Sequence, residues 1–184
     1  MGVLLNVLKK EGIENSSEFI SVEKVATELL TFLNQEEIRK LLAEKNKKGI
    51  SSKAIEEIIL PKAKELGFEN EKEGLFADYP SNGLRPDYYK KLGNTKGILM
   101  EVERGKTTIN NMDMLDIWKC HICKEANYLL LIVPQLINAK KSKKSKKSKK
   151  NKKPTTFDNV VKRIQPFFEK ENYINIDAVF VFGY

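Results

Sequence analysis

The segment that decides the fold, residues 99–107, reads LMEVERGKT: it begins as a buried strand and then carries two acids one position apart. In an extended strand alternate side chains share a face, so Glu101 and Glu103 project from the same side, about 7 Å apart by strand rise. Burying two like charges this close together is costly unless a positive charge neutralises them. The pair therefore predicts a divalent cation, and Mg²⁺, which binds carboxylate oxygens and keeps several water ligands, fits best.

A third acid lies fourteen residues before Glu101, in the stretch GLRPDYY. The intervening KKLGNTKG predicts a hairpin turn around Gly93 and Asn94, which would bring Asp87 beside Glu101. Pro86 is typical of an edge or of a local distortion at which two strands separate. The sequence thus predicts three carboxylates, from two neighbouring strands, around one cation site.

The chain before this hairpin has a helical pattern. Residues 1–48 place apolar side chains at helical spacing in two helices, with a break near Asn34. A third helix is predicted to begin after Ser51 or Ser52 and to end at a glycine cap, Gly67.

From residue 68 onward, extended and helical patterns alternate. Short strands are predicted at 68–78, 84–90 and 97–104, because clusters of Gly, Pro and Asn separate them. A helix capped by Asn110, the apolar strand Tyr128–Val133, a helix beginning at Thr156 or Asp158 and the terminal strand IDAVFVFGY complete the order.

These elements predict an α/β fold in which helices flank a central mixed sheet, with the core order α-β-β-β-α-β and an N-terminal helical segment. We expect a single domain over 1–184. It comprises the N-terminal helical segment at residues 1–48, the core 49–134, a flexible lysine-rich insertion at 139–154, and the C-terminal helix and strand at 155–184.

The helix after Asn110 is apolar over most of its circumference, which predicts a mostly buried helix with one narrow polar stripe. That stripe consists of Asp113, Asp116, Lys119 and Lys124. Trp118 is predicted to be a core residue. Lys119 is interpreted as a solvated lysine, with contact to a phosphate as the functional alternative.

The same helix contains the sequence CHIC, in which Cys120 and Cys123 lie one turn apart and could share a metal. The chain offers no second pair of cysteines, and His121 is its single histidine, so a four-ligand zinc site lacks ligands. We therefore interpret both cysteines as small core residues.

The net charge of +8 resides in one segment. Residues 140–153 read KKSKKSKKSKKNKK, and without their ten lysines the chain has 23 basic and 25 acidic residues. The simplest interpretation is a solvated surface insertion; the functional alternative is an electrostatic tether to phosphate backbones.

Composition narrows the class of protein. The hydrophobic share of 41% is typical of a soluble globular domain, and no apolar run approaches the roughly 18 residues that cross a bilayer. The start of the chain lacks the features of a signal peptide, and two cysteines give no disulfide framework. We expect a cytoplasmic protein without membrane partners.

With Pro86-Asp87, the fourteen-residue gap and Glu101-Val102-Glu103 at the end of an apolar strand, the sequence resembles the PD-(D/E)xK nucleases, the fold of many type II restriction endonucleases. The predicted order of elements over residues 50–133 agrees with the core of that family. The resemblance implies that Asp87 and Glu101 hold one or two Mg²⁺ ions for phosphodiester hydrolysis.

One position departs from the family pattern. The third motif residue is usually Lys and here is Glu103, although the BamHI-like and BglII-like group carries Glu or Gln there and remains active. Lys106 is a candidate replacement for the missing positive charge. The family often has a further Glu on the preceding helix, for which Glu57 or Glu56 lies in the right region.

The roles that follow are hypotheses. Glu103 would accept the proton of the attacking water or contribute to a second metal site. Lys106 or Arg104 would stabilise the charge of the transition state, and Lys119 is a further candidate for DNA contact.

The resemblance implies a Mg²⁺-dependent endodeoxyribonuclease that acts on double-stranded DNA as a type II restriction enzyme. A homodimer is expected, because one active site cuts one strand, and a cognate DNA methyltransferase is implied by the family alone. Two alternatives remain: a catalytically inactive DNA-binding protein on the same fold, favoured by Glu103, and a structure-specific DNA repair nuclease.

Overall fold

The computed structural model describes residues 2–47, 49–79, 84–105, 107–136, 155–169 and 172–184. Its elements are, in chain order, β1 (Leu4–Lys9), α1 (Ser17–Leu33), α2 (Glu36–Lys45), α3 (Lys53–Glu65), β2 (Glu69–Asn70), β3 (Tyr88–Lys91), β4 (Gly97–Val102), α4 (Met112–Ile122), β5 (Tyr128–Val133), α5 (Thr156–Ile164), α6 (Pro166–Glu169) and β6 (Ala178–Gly183). The predicted order α-β-β-β-α-β is confirmed by the run from α3 to β5.

The strands form one mixed sheet in the order β1-β6-β5-β4-β3-β2. The strands β4, β5 and β6 are parallel, whereas β1 pairs antiparallel with β6 at one side and β3 and β2 continue antiparallel from β4 at the other. Every residue of β5 is buried, as expected of an apolar strand covered on both faces. The predicted α/β class with a central mixed sheet is confirmed.

Helices cover both faces of this sheet and form two hydrophobic cores. Side chains of α1, α2 and α3 pack on one face, and those of α4 and α5 pack on the other. Because side chains alternate along a strand, Met100 and Val102 of β4 face the first core, while Leu99 faces the second. Glu101 shares the face of Leu99 and therefore lies under α4.

The prediction that residues 1–48 are helical throughout is wrong for the first of them, because β1 is a strand. Leu4 pairs with Gly183 and Lys9 with Ala178 along the edge of β6. A short apolar run does not distinguish a helix from a strand by its periodicity. The partner strand at the other end of the chain decides the conformation.

Other boundaries differ by smaller amounts. The segment predicted as a strand at 68–78 pairs with β3 over only Glu69 and Asn70. Helix α4 begins after Asn111 rather than Asn110, and Asn111 makes no side-chain capping bond. Helix α5 begins after Thr155, whose side chain and that of Asp158 bond each other's backbone in a capping box.

The lysine-rich insertion predicted at 139–154 lies outside the described residues. The described residues before and after this insertion lie close together, since Thr156 N donates a hydrogen bond to Gln135 O at 2.9 Å. Over the described residues, none of the helices has the length and apolar character that crossing a membrane requires.

Candidate active site

The acids at the end of β4 lie at the carboxyl end of the parallel strands. Glu101 pairs with Leu131 in the register of β4 and β5, and Glu103 N donates to Ile132 O at 2.8 Å, one residue beyond β4. Glu101 and Glu103 therefore both follow the strand geometry, and both point to the face covered by α4. Gly105, with φ 83°, adopts the left-handed conformation two residues later.

The hairpin of β3 and β4 brings Asp87 next to Glu101. Tyr88 pairs with Met100, so Asp87 is opposite Glu101 at the open end of the hairpin. Asp87 N donates to Glu101 Oε2 at 3.4 Å, and Val102 N donates to Asp87 Oδ2 at 2.8 Å. Two backbone amides thus hold two carboxylates side by side.

Glu101 is almost fully buried, with 3% of its surface exposed. Its Oε1 lies 2.6 Å from Nζ of Lys119, and the same ammonium group lies 3.0 Å from Oδ1 of Asp116. Burial raises the pKa of Glu101, and the charge of Lys119 opposes that rise. Burial alone would lower the pKa of Lys119, but its two carboxylate partners raise it, so Lys119 stays charged.

Glu103 is half-buried and has no ion-pair partner among the described residues. Burial, followed by the negative charges of Asp116 and Asp87, raises the pKa of Glu103 to about 8. Burial also raises the pKa of Asp87, which the hydrogen bond from Val102 N lowers. Among the described residues the cluster has more carboxylates than cationic partners, and the pKa of each of its acids is raised.

Helix α4 is oriented opposite to the prediction. Its polar residues Asp113, Asp116 and Lys119 are buried against the sheet, whereas Trp118 is 43% exposed. The interpretations of Lys119 as solvated and of Trp118 as core are therefore wrong. The buried part of α4 also includes Ile117 and Cys120, which pack in the second core, and Lys119 there supplies the cation that the buried carboxylate of Glu101 needs.

The structure brings Glu56 rather than Glu57 to the site. Burial and the charge of Asp87 raise the pKa of Glu56, whereas Glu57 is exposed on the outer side of α3. Tyr88 Oη donates to Glu56 O at 2.8 Å and so ties α3 to β3. The metal-binding role assigned to Glu57 therefore has no geometric support, and Glu56 has the better position.

Arg104 and Lys106 were predicted to stabilise charge on the phosphate. Arg104 alternates with Glu103 and so leaves the strand on the opposite face, and its Nε and Nη2 atoms are buried without a hydrogen-bond partner among the residues that the structure describes. Tyr184 Oη donates to Glu103 O at 3.3 Å near this arginine. Lys106 lies outside the described residues.

The structure supports the interpretation of both cysteines as core residues. Cys120 and Cys123 are free thiols with no exposed surface, and burial raises the pKa of each. His121 is exposed, and its Nδ1 accepts a hydrogen bond from Asn175 N at 3.0 Å.

Among the residues that the structure describes, no group of three or more acid, histidine or cysteine side chains forms a ready-made metal site. The donor set nevertheless fits a hard divalent cation. It consists of carboxylates without nitrogen or sulfur ligands, Glu103 lacks an ion-pair partner in the described chain, and one lysine is shared by two buried acids. A cation here would compete with Lys119 for Glu101.

The sequence prediction assigned no site role to Asp116 and only a DNA contact to Lys119. Their spacing of three residues, on an otherwise apolar helix that follows the acidic strand, was the available signal. That signal indicates a shared helix face, but it does not show which way the face points.

No family model matches the chain, and no curated protein matches it. Among solved structures, the chain is similar to the crystal structure of restriction endonuclease BglII complexed with a DNA 16-mer. The TM-score is 0.46 and the sequence identity 10%, over 100% of this chain and 78% of that chain. At this level of similarity, the function has to be argued from the chain's own residues.

Proposed function

We propose that this protein is a Mg²⁺-dependent endodeoxyribonuclease that hydrolyses phosphodiester bonds in double-stranded DNA, and specifically a cytoplasmic type II restriction enzyme. The observation that carries the proposal is the contact of Asp87 with Glu101 across the β3–β4 hairpin, with Asp87 N 3.4 Å from Glu101 Oε2. Carboxylate oxygens are typical ligands of Mg²⁺ in proteins, and here two carboxylates lie next to each other at the ends of two strands.

Asp87 and Glu101 would hold one or two Mg²⁺ ions, with Glu103 as the third ligand. The bound ion would polarise a phosphate oxygen and lower the pKa of a bound water. The partners of Asp87 and Glu101 restrict both side chains, because backbone amides contact each and Lys119 contacts Glu101.

The chain's own groups supply the remaining chemistry. Glu103, which is half-buried and lacks an ion-pair partner in the described chain, would accept the proton of the attacking water at its carboxylate or contribute to a second metal site. Position 103 carries no positive charge, but the ammonium group of Lys119 lies in the same cluster and can stabilise negative charge on the reacting phosphate. Lys106 is a further candidate for phosphate contact, whereas Arg104 leaves the strand on the face opposite Glu103 and is no longer one.

Cleavage of both strands requires two active sites, so the proposed enzyme acts as a homodimer on duplex DNA. As a restriction enzyme it would also need a cognate DNA methyltransferase that protects the host sequence. Both partners belong to the proposal.

A second candidate function is a DNA-binding protein that keeps this fold without catalysis. The specific observation in its favour is that Lys119 already neutralises Glu101, so that this acid has a cationic partner without any metal. Glu103, in place of the family's lysine, is consistent with the same candidate.

One digestion experiment separates these functions. The full chain is incubated with phage DNA with and without Mg²⁺, beside the variants Asp87→Asn and Glu101→Gln and the matched control Glu57→Gln on the exposed side of α3. Discrete fragments that need Mg²⁺, Asp87 and Glu101 support the restriction enzyme, and a smear indicates a nuclease without sequence preference. Intact DNA, with the protein bound to it, would favour the inactive DNA-binding protein.

A further inference from the structure

Helix α4 contains two buried acids, Asp113 and Asp116, with different surroundings. Both have 0% of their surface exposed and lie one turn apart. Asp113 Oδ2 accepts from Arg163 Nε at 2.7 Å, and its Oδ1 lies 3.4 Å from Nη2 of the same arginine. Asp113 therefore has a guanidinium group of its own.

Asp116 has no such partner in the described chain. Its Oδ1 lies 3.0 Å from Lys119 Nζ, but that ammonium group is even closer to Glu101. Its Oδ2 is buried and has neither a hydrogen bond nor an ion pair among the described residues. Burying an ionised carboxylate with an incomplete set of partners is costly, so such a group is expected where a ligand compensates for it.

The excess of negative charge around Asp116 also indicates a cationic ligand. Four carboxylates, those of Asp87, Glu101, Glu103 and Asp116, belong to this cluster, and among the described residues Lys119 forms ion pairs with two of them, Glu101 and Asp116. Asp116 is the member that comes from a helix, whereas the other three come from the β3–β4 hairpin.

We propose that Asp116 is a ligand of the divalent cation, supplied by helix α4 in addition to the acids of the β3–β4 hairpin. The inference rests on the proposed function, which puts a cation at Asp87 and Glu101, and extends it to a residue outside the hairpin. The cation then links α4 to the sheet. Because the donors are all carboxylate oxygens, the site takes Mg²⁺, Mn²⁺ or Ca²⁺ in preference to softer metals.

The test measures cation binding without DNA and without catalysis. Mn²⁺ is titrated into the full chain and the free ion is followed by electron paramagnetic resonance, for the unchanged protein and for Asp116→Asn, Asp113→Asn and Asp87→Asn. Asp113→Asn is the matched control, since it removes an equally buried acid from the same helix. We expect Asp116→Asn and Asp87→Asn to weaken Mn²⁺ binding about tenfold or more and Asp113→Asn to leave it unchanged.

Two results would overturn the inference, and they can be told apart. If Asp116→Asn binds Mn²⁺ as well as the unchanged protein while Asp87→Asn does not, Asp116 is not a ligand and the proposed function stands. If the unchanged protein binds no Mn²⁺, the metal-dependent function fails together with the inference.

A second measurement needs no variant and decides the question if Asp116→Asn does not fold. The carboxyl carbons of aspartate are labelled with ¹³C in the unchanged protein, and their resonances are followed as Mg²⁺ is added. The inference expects the resonance of Asp116 to shift and that of Asp113 to stay. A shift at Asp87 without one at Asp116 overturns it.

Discussion

The ammonium group of Lys119 lies 2.6 Å from Oε1 of Glu101, and each residue has less than a tenth of its surface exposed. This ion pair joins α4 to β4 directly beneath the helix. It lies on the side of α4 that faces the sheet, and it places a positive charge within the acidic cluster. Several measurable properties of the protein follow from it.

Replacing Lys119 by methionine should destabilise the fold by about 3–5 kcal/mol, because the carboxylates of Glu101 and Asp116 would stay buried without a counter-charge. The free energy of unfolding is measured with urea in the absence of divalent cations. Lys124→Met is the control, since Lys124 pairs with Asp78 at the surface, where 71% of each side chain is exposed. Equal stabilities for the two variants would contradict the structural role of Lys119.

In EDTA, the melting temperature should fall as the pH rises from about 5 to about 8. Burial raises the pKa of Glu103 to about 8 and that of Asp116 to about 6, so the folded state binds more protons than the unfolded state over this range. Raising the pH therefore favours unfolding. Circular dichroism at several pH values measures the slope.

The variant Glu103→Gln should flatten this pH dependence, because it removes the group with the pKa of about 8. Glu57→Gln, on the exposed side of α3, should leave the slope as it is. A melting temperature that increases over the same pH range would show that the cluster does not retain its protons.

Glu56→Gln should lower the rate of Mg²⁺-dependent DNA cleavage about tenfold or more, whereas Glu57→Gln should not change it. The two residues are neighbours in sequence, but Glu56 is half-buried and the charge of Asp87 contributes to its raised pKa, whereas Glu57 is exposed. Initial rates on phage DNA are compared at equal protein stability. A larger effect of Glu57→Gln would reverse the assignment.

Replacing the ten lysines of 140–153 by glutamine should weaken DNA binding and reduce its dependence on salt. These lysines turn a chain near −2 into one of +8. Fluorescence anisotropy of a labelled duplex, at about 50 and 200 mM salt, measures both affinities. The melting temperature should stay the same, because a hydrogen bond from Thr156 N to Gln135 O connects the described residues on the two sides of the segment. An unchanged salt dependence would mean that the segment does not contact DNA.

Much of the local structure was predictable. The hairpin of β3 and β4 follows from the turn signal of Gly93 and Asn94 before the apolar run of β4, and it places Asp87 opposite Glu101. The buried strand β5 follows from six consecutive apolar residues. In both cases the residues that determine the local structure are close together in sequence.

Two kinds of feature were missed because their partners are distant in sequence. The strand β1 forms only because β6, at the other end of the chain, offers it an edge. The inward side of α4 is decided by its packing against the sheet, where Lys119 contacts Glu101, and Glu56 is favoured over Glu57 because it lies on the half-buried side of α3.

By itself, the sequence determined that two acids share a face of one strand and that a hairpin brings a third beside them, because alternation and turns are properties of adjacent residues. Only the tertiary structure decided that Lys119 and Asp116 lie against these acids. The physical reason is that helical periodicity groups side chains on one face, whereas the packing partners, which are distant in sequence, decide which face is buried.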